Sequence, residues 1–248
     1  QLLQLASGYF VERRLVHVGL PSCTGHAVGS VTNSHAASAH DRAAMSTAPG
    51  HTAVLTMELQ RGVVGDLSTL AELRDAVADA DLLASVGRLL SAARAVSIPV
   101  VHATVGWRSD RLGTPLVTPI ARHLAGNPAQ MLEGTPAVEL DPAIGPDLDV
   151  DLISHRRHGM APFTGTSLDA LLRSMAVTRL VICGVSLNVG VLGAVIEAVG
   201  LGYEVSVPTD AVAGVPADYG AAVLRHSLAP LALLTTVDEL SSLWWGAL

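Results

Sequence analysis

The stretch RLVICGVSLNVGVLGAVIEAVGLGYEVSVPTDAVAG, residues Arg179–Gly214, decides the fold. It begins with a short apolar run, Leu180–Cys183, which predicts a strand. Apolar residues then recur at helical spacing, at Val189, Leu192, Ile196 and Val199. Gly200 and Gly202 are expected to end that helix, and Tyr203–Val207 is the next β-rich run. A strand, a turn, a helix and a second strand form a βαβ unit, so the two strands are predicted to be parallel.

The turn in this unit is the first candidate for a binding site. Open parallel sheets bind ligands at the carboxyl ends of their strands, where a helix N-terminus faces the ligand. Ser186 and Asn188 lie in this turn and are candidate substrate-binding residues. Asn188 is also a residue type that caps helices, and we expect capping to be its main role.

The same alternation of strands and helices extends from residue 52 to the end of the chain. Four further strands are predicted, at Thr52–Met57, Ile98–Ala103, Val150–Ser154 and Leu231–Thr235. The first of them is followed by a long helical pattern that is interrupted near Asp79–Asp81. We therefore predict one doubly wound α/β domain over residues 51–248, with a three-layer, Rossmann-like architecture. Its mainly parallel sheet of about six strands would have helices on both faces.

Two segments of the chain depart from this alternation. Residues 1–50 lack a sustained period and are rich in Ala, Ser, Gly and His, so we expect a disordered or non-native extension. Met45 is then a candidate for the natural start. The histidine spacing in this segment fits no common metal-ligand pattern, and no metal or other cofactor is expected. Residues 108–148 are rich in proline and glycine and are predicted to form a functional excursion near a strand end.

Composition excludes several functions. Charged residues make up 15% of the chain against 50% hydrophobic residues, and the mean hydropathy is +0.45. The net charge of −7 and the lack of a long basic run argue against nucleic acid as a partner. All 15 basic residues are arginine, so no mechanism can use a lysine ammonium. Nothing indicates secretion, and glycines interrupt the longest charge-free run, so we expect a cytoplasmic protein without a membrane segment.

Apolar surface also predicts self-association. The helix over Asn188–Leu201 is apolar on nearly every side, and Trp244 and Trp245 stand side by side near the end of the chain. Such a helix is either enclosed in the core or shared with a second subunit. We predict a homo-oligomer, with a small molecule as its substrate.

Three motifs resemble those of the isochorismatase-like hydrolases, also called the cysteine hydrolase family. They are VLTMELQRGVVG (residues 54–65), RRHGMAPFTGTSLDALLR (156–173) with the preceding EGTPAVELDP (133–142), and GVSLNVGVLGAVIEAVGLGYEV (184–205). The resemblance covers roughly residues 52–243 and implies the isochorismatase-like fold. It also implies a cis peptide bond around Val185–Ser186.

The family's catalytic triad of Asp, Lys and Cys falls on three different residue types in this chain. The resemblance places Glu58 where the aspartate stands, Arg157 where the lysine falls on counting back from Phe163, and Gly190 at the cysteine. A thiolate nucleophile is therefore missing, and Cys183 is expected to be a small core residue. Glu58, Arg157 and Gly190 are the candidate catalytic positions.

Other polar residues are candidates for the pocket around this triad. We expect Gln60, His102, Trp107, His155 and His158 to contact substrate, together with Ser186 and Asn188. Because the carboxyl ends of parallel strands share one edge of the sheet, Glu58, the segment 155–158 and the segment 186–190 should meet there. The two histidines of the second segment either take part in proton transfer or are solvated loop residues.

These residues leave three functions open. The first is a hydrolase that acts on a small anionic substrate by general acid catalysis from Glu58, without a covalent intermediate. This is the role that the vinyl-ether-cleaving members give their aspartate, and Arg157 would hold a substrate carboxylate. The second is a catalytically inactive member, in which Glu58 and Arg157 form only an ion pair and the protein binds small molecules or assembles. The third is amide or lactam hydrolysis with Glu58 as a general base.

Overall fold

The structure, a computed structural model, describes residues 51–126 and 131–246. The extension predicted for residues 1–50 lies outside the described residues, and it stays a prediction. The α/β domain that the sequence predicts is present from residue 52 onward.

Six parallel strands form one sheet. They are β1 (Thr52–Met57), β2 (Val100–Val105), β3 (Leu152–Arg156), β4 (Arg179–Gly184), β5 (Glu204–Pro208) and β6 (Leu233–Thr235). Their order in the sheet is β3-β2-β1-β4-β5-β6, and every neighbouring pair is parallel. The predicted Rossmann-like sheet is therefore confirmed. Strands β2 and β3 begin and end two residues later than predicted, and this shift brings Arg156 into β3.

Seven α-helices connect these strands within the described residues. They are α1 (Ala71–Asp79), α2 (Leu82–Ala95), α3 (Pro119–Ala125), α4 (Leu168–Ser174), α5 (Leu192–Gly200), α6 (Ala217–Val223) and α7 (Val237–Trp245). The predicted interruption near Asp79–Asp81 separates α1 from α2, where Asp81 has a left-handed backbone (φ +48°). Helix α7 begins with a capping box between Thr236 and Glu239, which satisfies two backbone N–H groups.

Helices cover both faces of the sheet, which gives the three layers. On one face, α1, α2 and α7 pack on the side chains that the central strands direct to that face, such as Val54 and Val181. On the other face, α4, α5 and α6 pack on the alternate residues, such as Leu55 and Ile182. Side chains alternate between the two faces along each strand, and both faces are apolar because both are covered.

The order of the strands reverses between β1 and β4. The chain leaves β1 toward β2 on one side, and from β4 it continues to β5 on the other. In open α/β sheets, ligands bind at the carboxyl ends of the strands at this switch point. The residues that follow Met57 and Gly184 are therefore in the position where a binding site is expected.

Some of the apolar residues from which we predict a homo-oligomer lie in the core, and others are exposed to solvent. Helix α5 buries Ala194, Val195 and Ala198, while Ile196 is 54% exposed. Trp244 is fully buried and Trp245 is 57% exposed. Enclosure in the core explains part of the apolar pattern, and the homo-oligomer stays a prediction. None of the helices in the described residues is long and apolar enough to cross a membrane.

The two adjacent tryptophans provide a test of this packing. Trp244→Ala should lower the free energy of unfolding by about 3–5 kcal/mol, because it removes a large side chain from the core beneath α7. Trp245→Ala should change it by less than about 0.5 kcal/mol. Urea denaturation followed by far-UV circular dichroism measures both. Equal losses in the two variants would contradict the assignment of Trp244 to the core.

Candidate active site

A cavity of about 180 Å³ opens at the switch point between β1 and β4. Its polar floor includes Glu58, Arg156, Ser186 and Gly190, and its walls are mostly apolar. The apolar side chains come from the residues after β1, from α1 and from the excursion, and include Val63, Leu73, Trp107, Ile120 and Met131. An apolar cavity with few convergent polar groups is the usual form of a small-molecule site. The excursion over residues 108–148 thus contributes to the site, as predicted.

Glu58 and Arg156 form an ion pair in this cavity. Glu58 directly follows β1, has a left-handed backbone (φ +53°) and donates its N–H to the Ala103 carbonyl at 3.0 Å. Arg156 Nη2 donates to Glu58 Oε1. The Arg156 side chain is only 2% exposed, and its Nε and Nη1 atoms have no hydrogen-bond partner among the described residues. A buried guanidinium with two unused donors is a site for an acceptor group of a ligand.

Arg157, which the motif count places at the family's lysine, does not pair with Glu58. It makes a bidentate ion pair with Glu133, with Nε to Oε1 at 2.5 Å and Nη2 to Oε2 at 3.0 Å. The Arg157 guanidinium lowers the pKa of the Glu133 carboxyl. The predicted pairing with Glu58 is wrong because β3 continues to Arg156, whose side chain points to the buried side like that of Ser154. Arg157 is the first residue after the strand, half-exposed, and still lines the cavity.

Gly190 lies in a one-turn π-helical segment, Leu187–Val191, that precedes α5. A Cβ at this position would lie 2.9 Å from the Val185 carbonyl oxygen and 3.3 Å from Met57 Cε. The first distance is shorter than real Cβ contacts, so any side chain here requires the backbone to shift. The cis peptide bond that the resemblance implies is present between Val185 and Ser186.

Cys183 is the core residue that the sequence predicts. It is fully buried in β4, and burial raises the pKa of its thiol to about 12. A thiol with so high a pKa supplies no thiolate near neutral pH. Neither Cys183 nor Gly190 can therefore act as a cysteine nucleophile.

Asn188 does not cap the helix and does not reach the cavity. The helical segment begins at Leu187, so its N-cap residue is Ser186, and no side chain caps it. Asn188 Nδ2 donates to the Val215 carbonyl at 3.4 Å, so the side chain contacts the loop before α6. Of the two candidates in this turn, only Ser186 lines the cavity.

Gln60 holds the cavity wall together instead of contacting a substrate. It is fully buried, and its Nε2 donates to the carbonyls of Val105 at 2.9 Å and Val138 at 2.7 Å. The Val105 N–H donates to Gln60 Oε1 at 2.9 Å. The side chain amide thus fastens the end of β2 to the excursion. Gln60 is therefore a positioning residue and not, as we predicted, a residue that contacts substrate in the cavity.

His102 is a core residue and not part of the cavity wall. It lies inside β2 with no exposed surface, and hydrogen bonds join it to Thr56 Oγ1 at 2.8 Å and Asp151 Oδ2 at 3.1 Å. Asp151 in turn binds Arg94 through two hydrogen bonds, at 3.0 and 2.5 Å. The prediction places the end of β2 at Ala103. Because the strand runs to Val105, His102 lies deep within the sheet.

The remaining candidates divide between cavity and surface. Trp107 and His158 line the cavity, and their contact with substrate stays a prediction. His155 is on the exposed side of β3, where it contacts Thr104 Oγ1 at 3.1 Å and Glu133 Oε1 at 3.2 Å. It lies outside the cavity lining. No group of residues that could hold a metal ion occurs in the described part of the chain.

Sequence reasoning misses two features of this site. It selects Arg157 over Arg156, although the alternation of side chains in β3 points to Arg156 once the strand end is known. Ile120 and Leu124 of α3 also line the cavity. In the sequence, nothing indicates this beyond the general prediction that the excursion over residues 108–148 is functional.

Comparison with known proteins identifies the family. A family model for the isochorismatase domain matches residues 52–239. The chain belongs to the isochorismatase family.

Individual known proteins are moderately similar to this chain. The uncharacterised isochorismatase family protein YecD of Escherichia coli O157:H7 is 27% identical, over 76% of this chain and 94% of YecD. A cysteine hydrolase from Pseudomonas syringae pv. phaseolicola is 25% identical, with a TM-score of 0.68 over 81% of this chain and 95% of that chain. N-carbamoylsarcosine amidase from Thermoplasma acidophilum shares the fold, at 20% identity and a TM-score of 0.58 over 76% of this chain and 97% of that chain.

The buried His102 makes stability depend on pH. Burial lowers the pKa of His102, although the hydrogen bond that His102 makes to the Asp151 carboxylate opposes this. The unfolded chain therefore takes up a proton below about pH 6.5 that the folded chain does not bind. As the pH falls from about 7 to 5, the unfolding free energy should decrease, with His102 contributing up to about 1.4 kcal/mol per pH unit. His102→Gln should make this slope shallower.

The exposed His226, which follows α6, provides the matched control. His226→Gln should leave the slope unchanged. Urea denaturation at several pH values measures all three proteins. An unchanged slope in the His102 variant would show that His102 binds protons equally in both states.

Two glycines of the helical region test the tightness around position 190. Gly190→Ala should lower the unfolding free energy by about 1–3 kcal/mol, because its Cβ meets the Val185 carbonyl. At Gly200, the last residue of α5, a Cβ would have no atom within 4 Å, so Gly200→Ala should be neutral or stabilise by about 0.4–1 kcal/mol. Thermal unfolding compares them, and a neutral Gly190→Ala would refute the close packing.

Proposed function

We propose that this isochorismatase-family protein hydrolyses a small anionic substrate by general acid catalysis from Glu58, without a covalent intermediate. The observation that carries the proposal is the buried Glu58–Arg156 pair at the floor of an open apolar cavity. One member of the pair, Glu58, is an acid that would lie beside a ligand in the cavity. The other has two donors that no described residue uses.

Arg156 would hold the substrate through a carboxylate. Its Nε and Nη1 atoms have no partner among the described residues, so they remain as donors for a carboxylate oxygen, and such charge-assisted bonds are about twice as strong as neutral ones. The side chain is fixed by burial in β3, so little conformational entropy is lost when the ligand binds. This is the anchoring role that the sequence analysis assigns to Arg157.

Binding of a carboxylate would also prepare Glu58 for catalysis. A second negative charge beside Glu58 would compete with its carboxyl group for the Arg156 guanidinium, and in this mechanism Glu58 reacts as the carboxylic acid. The protonated carboxyl can then transfer its proton to the substrate. With an enol ether, the proton adds to the terminal carbon, water adds to the resulting oxocarbenium carbon, and the hemiketal collapses to a carbonyl compound and an alcohol.

Cysteine-dependent amide hydrolysis has no nucleophile in this site. Gly190 replaces the thiol, and Cys183 is buried behind the cavity in β4. In the proposed reaction, water is the nucleophile.

One observation favours a second candidate, a binding protein without catalytic activity. Glu58 Oε1 already accepts a hydrogen bond from Arg156, so the carboxyl group has a partner within the protein. If substrate binding does not displace this pair, the cavity binds anions and performs no reaction.

Turnover assays with isochorismate and with simple enol ether carboxylates test the proposal. Glu58→Gln should lower kcat by about 10²–10⁴-fold, because the amide cannot donate the catalytic proton. Glu204, at the amino end of β5 and paired with Arg179, provides a control, and Glu204→Gln should retain full activity. Glu58→Asp keeps the charge beside Arg156, and it covers the case in which the glutamine variant does not fold.

The outcomes separate the two candidates. Full activity in Glu58→Gln would refute the role of Glu58. Binding of these carboxylates by the wild-type protein without any turnover would favour the non-catalytic candidate.

A further inference from the structure

The excursion contributes a second set of unused donors to the cavity. Arg111 and Thr114 both line it. Arg111 Nη2 and Thr114 Oγ1 are buried and have no hydrogen-bond partner among the described residues. A buried polar group without a partner costs about 1–3 kcal/mol. A ligand oxygen that accepts hydrogen bonds from these two atoms would therefore add binding free energy that contacts with the apolar walls cannot provide.

The Arg111 side chain and the backbone of the turn that carries Thr114 are held by contacts within the protein. The Arg111 guanidinium stacks over the Trp107 ring, 4.6 Å from its centroid. The backbone makes two successive turn hydrogen bonds, from Arg111 N to the Arg108 carbonyl and from Thr114 N to the Arg111 carbonyl, both at 3.0 Å. Arg111 itself has a left-handed backbone (φ +57°). The turn thus brings the two residues together at the cavity wall.

The charge of Arg111 is not balanced by a carboxylate in the part of the chain that the structure describes. The neighbouring Asp110 binds Arg108 through two hydrogen bonds, at 2.9 and 2.7 Å, and also accepts from the Leu112 N–H at 3.0 Å. Both carboxylate oxygens of Asp110 therefore already accept hydrogen bonds from groups other than Arg111.

The other two arginines of the cavity each have a carboxylate partner. Arg156 pairs with Glu58, and Arg157 pairs with Glu133. Arg111 therefore gives the cavity wall a positive charge that favours a negatively charged acceptor.

We propose that Arg111 and Thr114 bind a second oxygen group of the substrate, preferably an anionic one, and so determine its specificity. This inference rests on the proposed function, in which Arg156 binds the first carboxylate. Side chains such as Val63, Leu73 and Val105 supply apolar lining to the same cavity. The substrate class is then a compact apolar body, such as a ring, that carries two oxygen acceptors.

Isothermal titration calorimetry on the full chain can test this with three ring carboxylates. Benzoate has one carboxylate, whereas isophthalate and terephthalate carry a second at two different distances. At least one dicarboxylate should bind about tenfold more tightly than benzoate, as expected for a charge-assisted hydrogen bond. Arg111→Met, which keeps the length of the side chain without its donors, should reduce this preference to nearly one. Thr114→Val, which has nearly the same shape, should reduce it by a smaller factor.

Arg156→Met separates this inference from the function on which it rests. If benzoate binds to the wild type and loses affinity in Arg156→Met, the first anion contact is present. A dicarboxylate preference that is absent, or that Arg111→Met leaves unchanged, would then overturn the role of Arg111 alone. Benzoate binding that does not depend on Arg156 would overturn the proposed anchoring. Failure of all three probes to bind at millimolar concentration would overturn both.

Discussion

The pairing of β1 with β4 fixes the geometry on which the site depends. Six residue pairs, from Thr52 with Arg179 to Met57 with Gly184, hold the two strands in a parallel register that ends at the same level. The Val185 N–H continues this connection by donating to the Met57 carbonyl at 3.0 Å. Glu58 and the turn that leads to Gly190 must therefore emerge side by side. The distance between Glu58 and Gly190 is therefore set by the strand register and not by the surrounding loops.

The same register explains why the floor of the cavity needs an arginine. Glu58 directly follows an apolar strand, and its side chain is 20% exposed at the cavity, so its carboxylate is partly removed from water. Arg156, at the end of β3, is held two strands away by the pairing of Val105 with Arg156. Its long side chain spans the distance to Glu58. Removing Glu58 would leave the Arg156 guanidinium buried and without this partner, which typically costs about 3–5 kcal/mol, so the pair is structural as well as a candidate for function.

The fold could be predicted from the sequence because both its strands and its helices bury apolar faces. The β-α alternation and the apolar runs defined the sheet, its direction and the three layers. The strand ends were less certain, because a parallel strand reads as a continuous apolar run with little to mark its last residue. A shift of two residues in β2 was enough to misplace His102, whereas Arg157 was selected by counting back from Phe163 in the family motif.

Side-chain partners across the sheet were beyond the reach of the sequence. Gln60 reads as a polar residue near a strand end, and nothing local shows that its amide bonds to Val105 and Val138. The network of His102, Asp151 and Arg94 likewise joins residues far apart in the chain. By contrast, Glu58, Ser186 and Gly190 could be placed together, because their positions follow from strand ends that meet at one edge of the sheet.

Gly190, the position that the resemblance assigns to the family's cysteine, is closely packed on the side where a Cβ would lie. The space beside the Gly190 Cα is occupied by the Val185 carbonyl and by the end of the buried Met57 side chain. Met57 belongs to the β1 core, and Val185 belongs to the turn that the β1–β4 pairing holds. A residue with a Cβ would have to displace one of them. The closely packed glycine therefore leaves no room for a side chain at this position unless Val185 or Met57 moves.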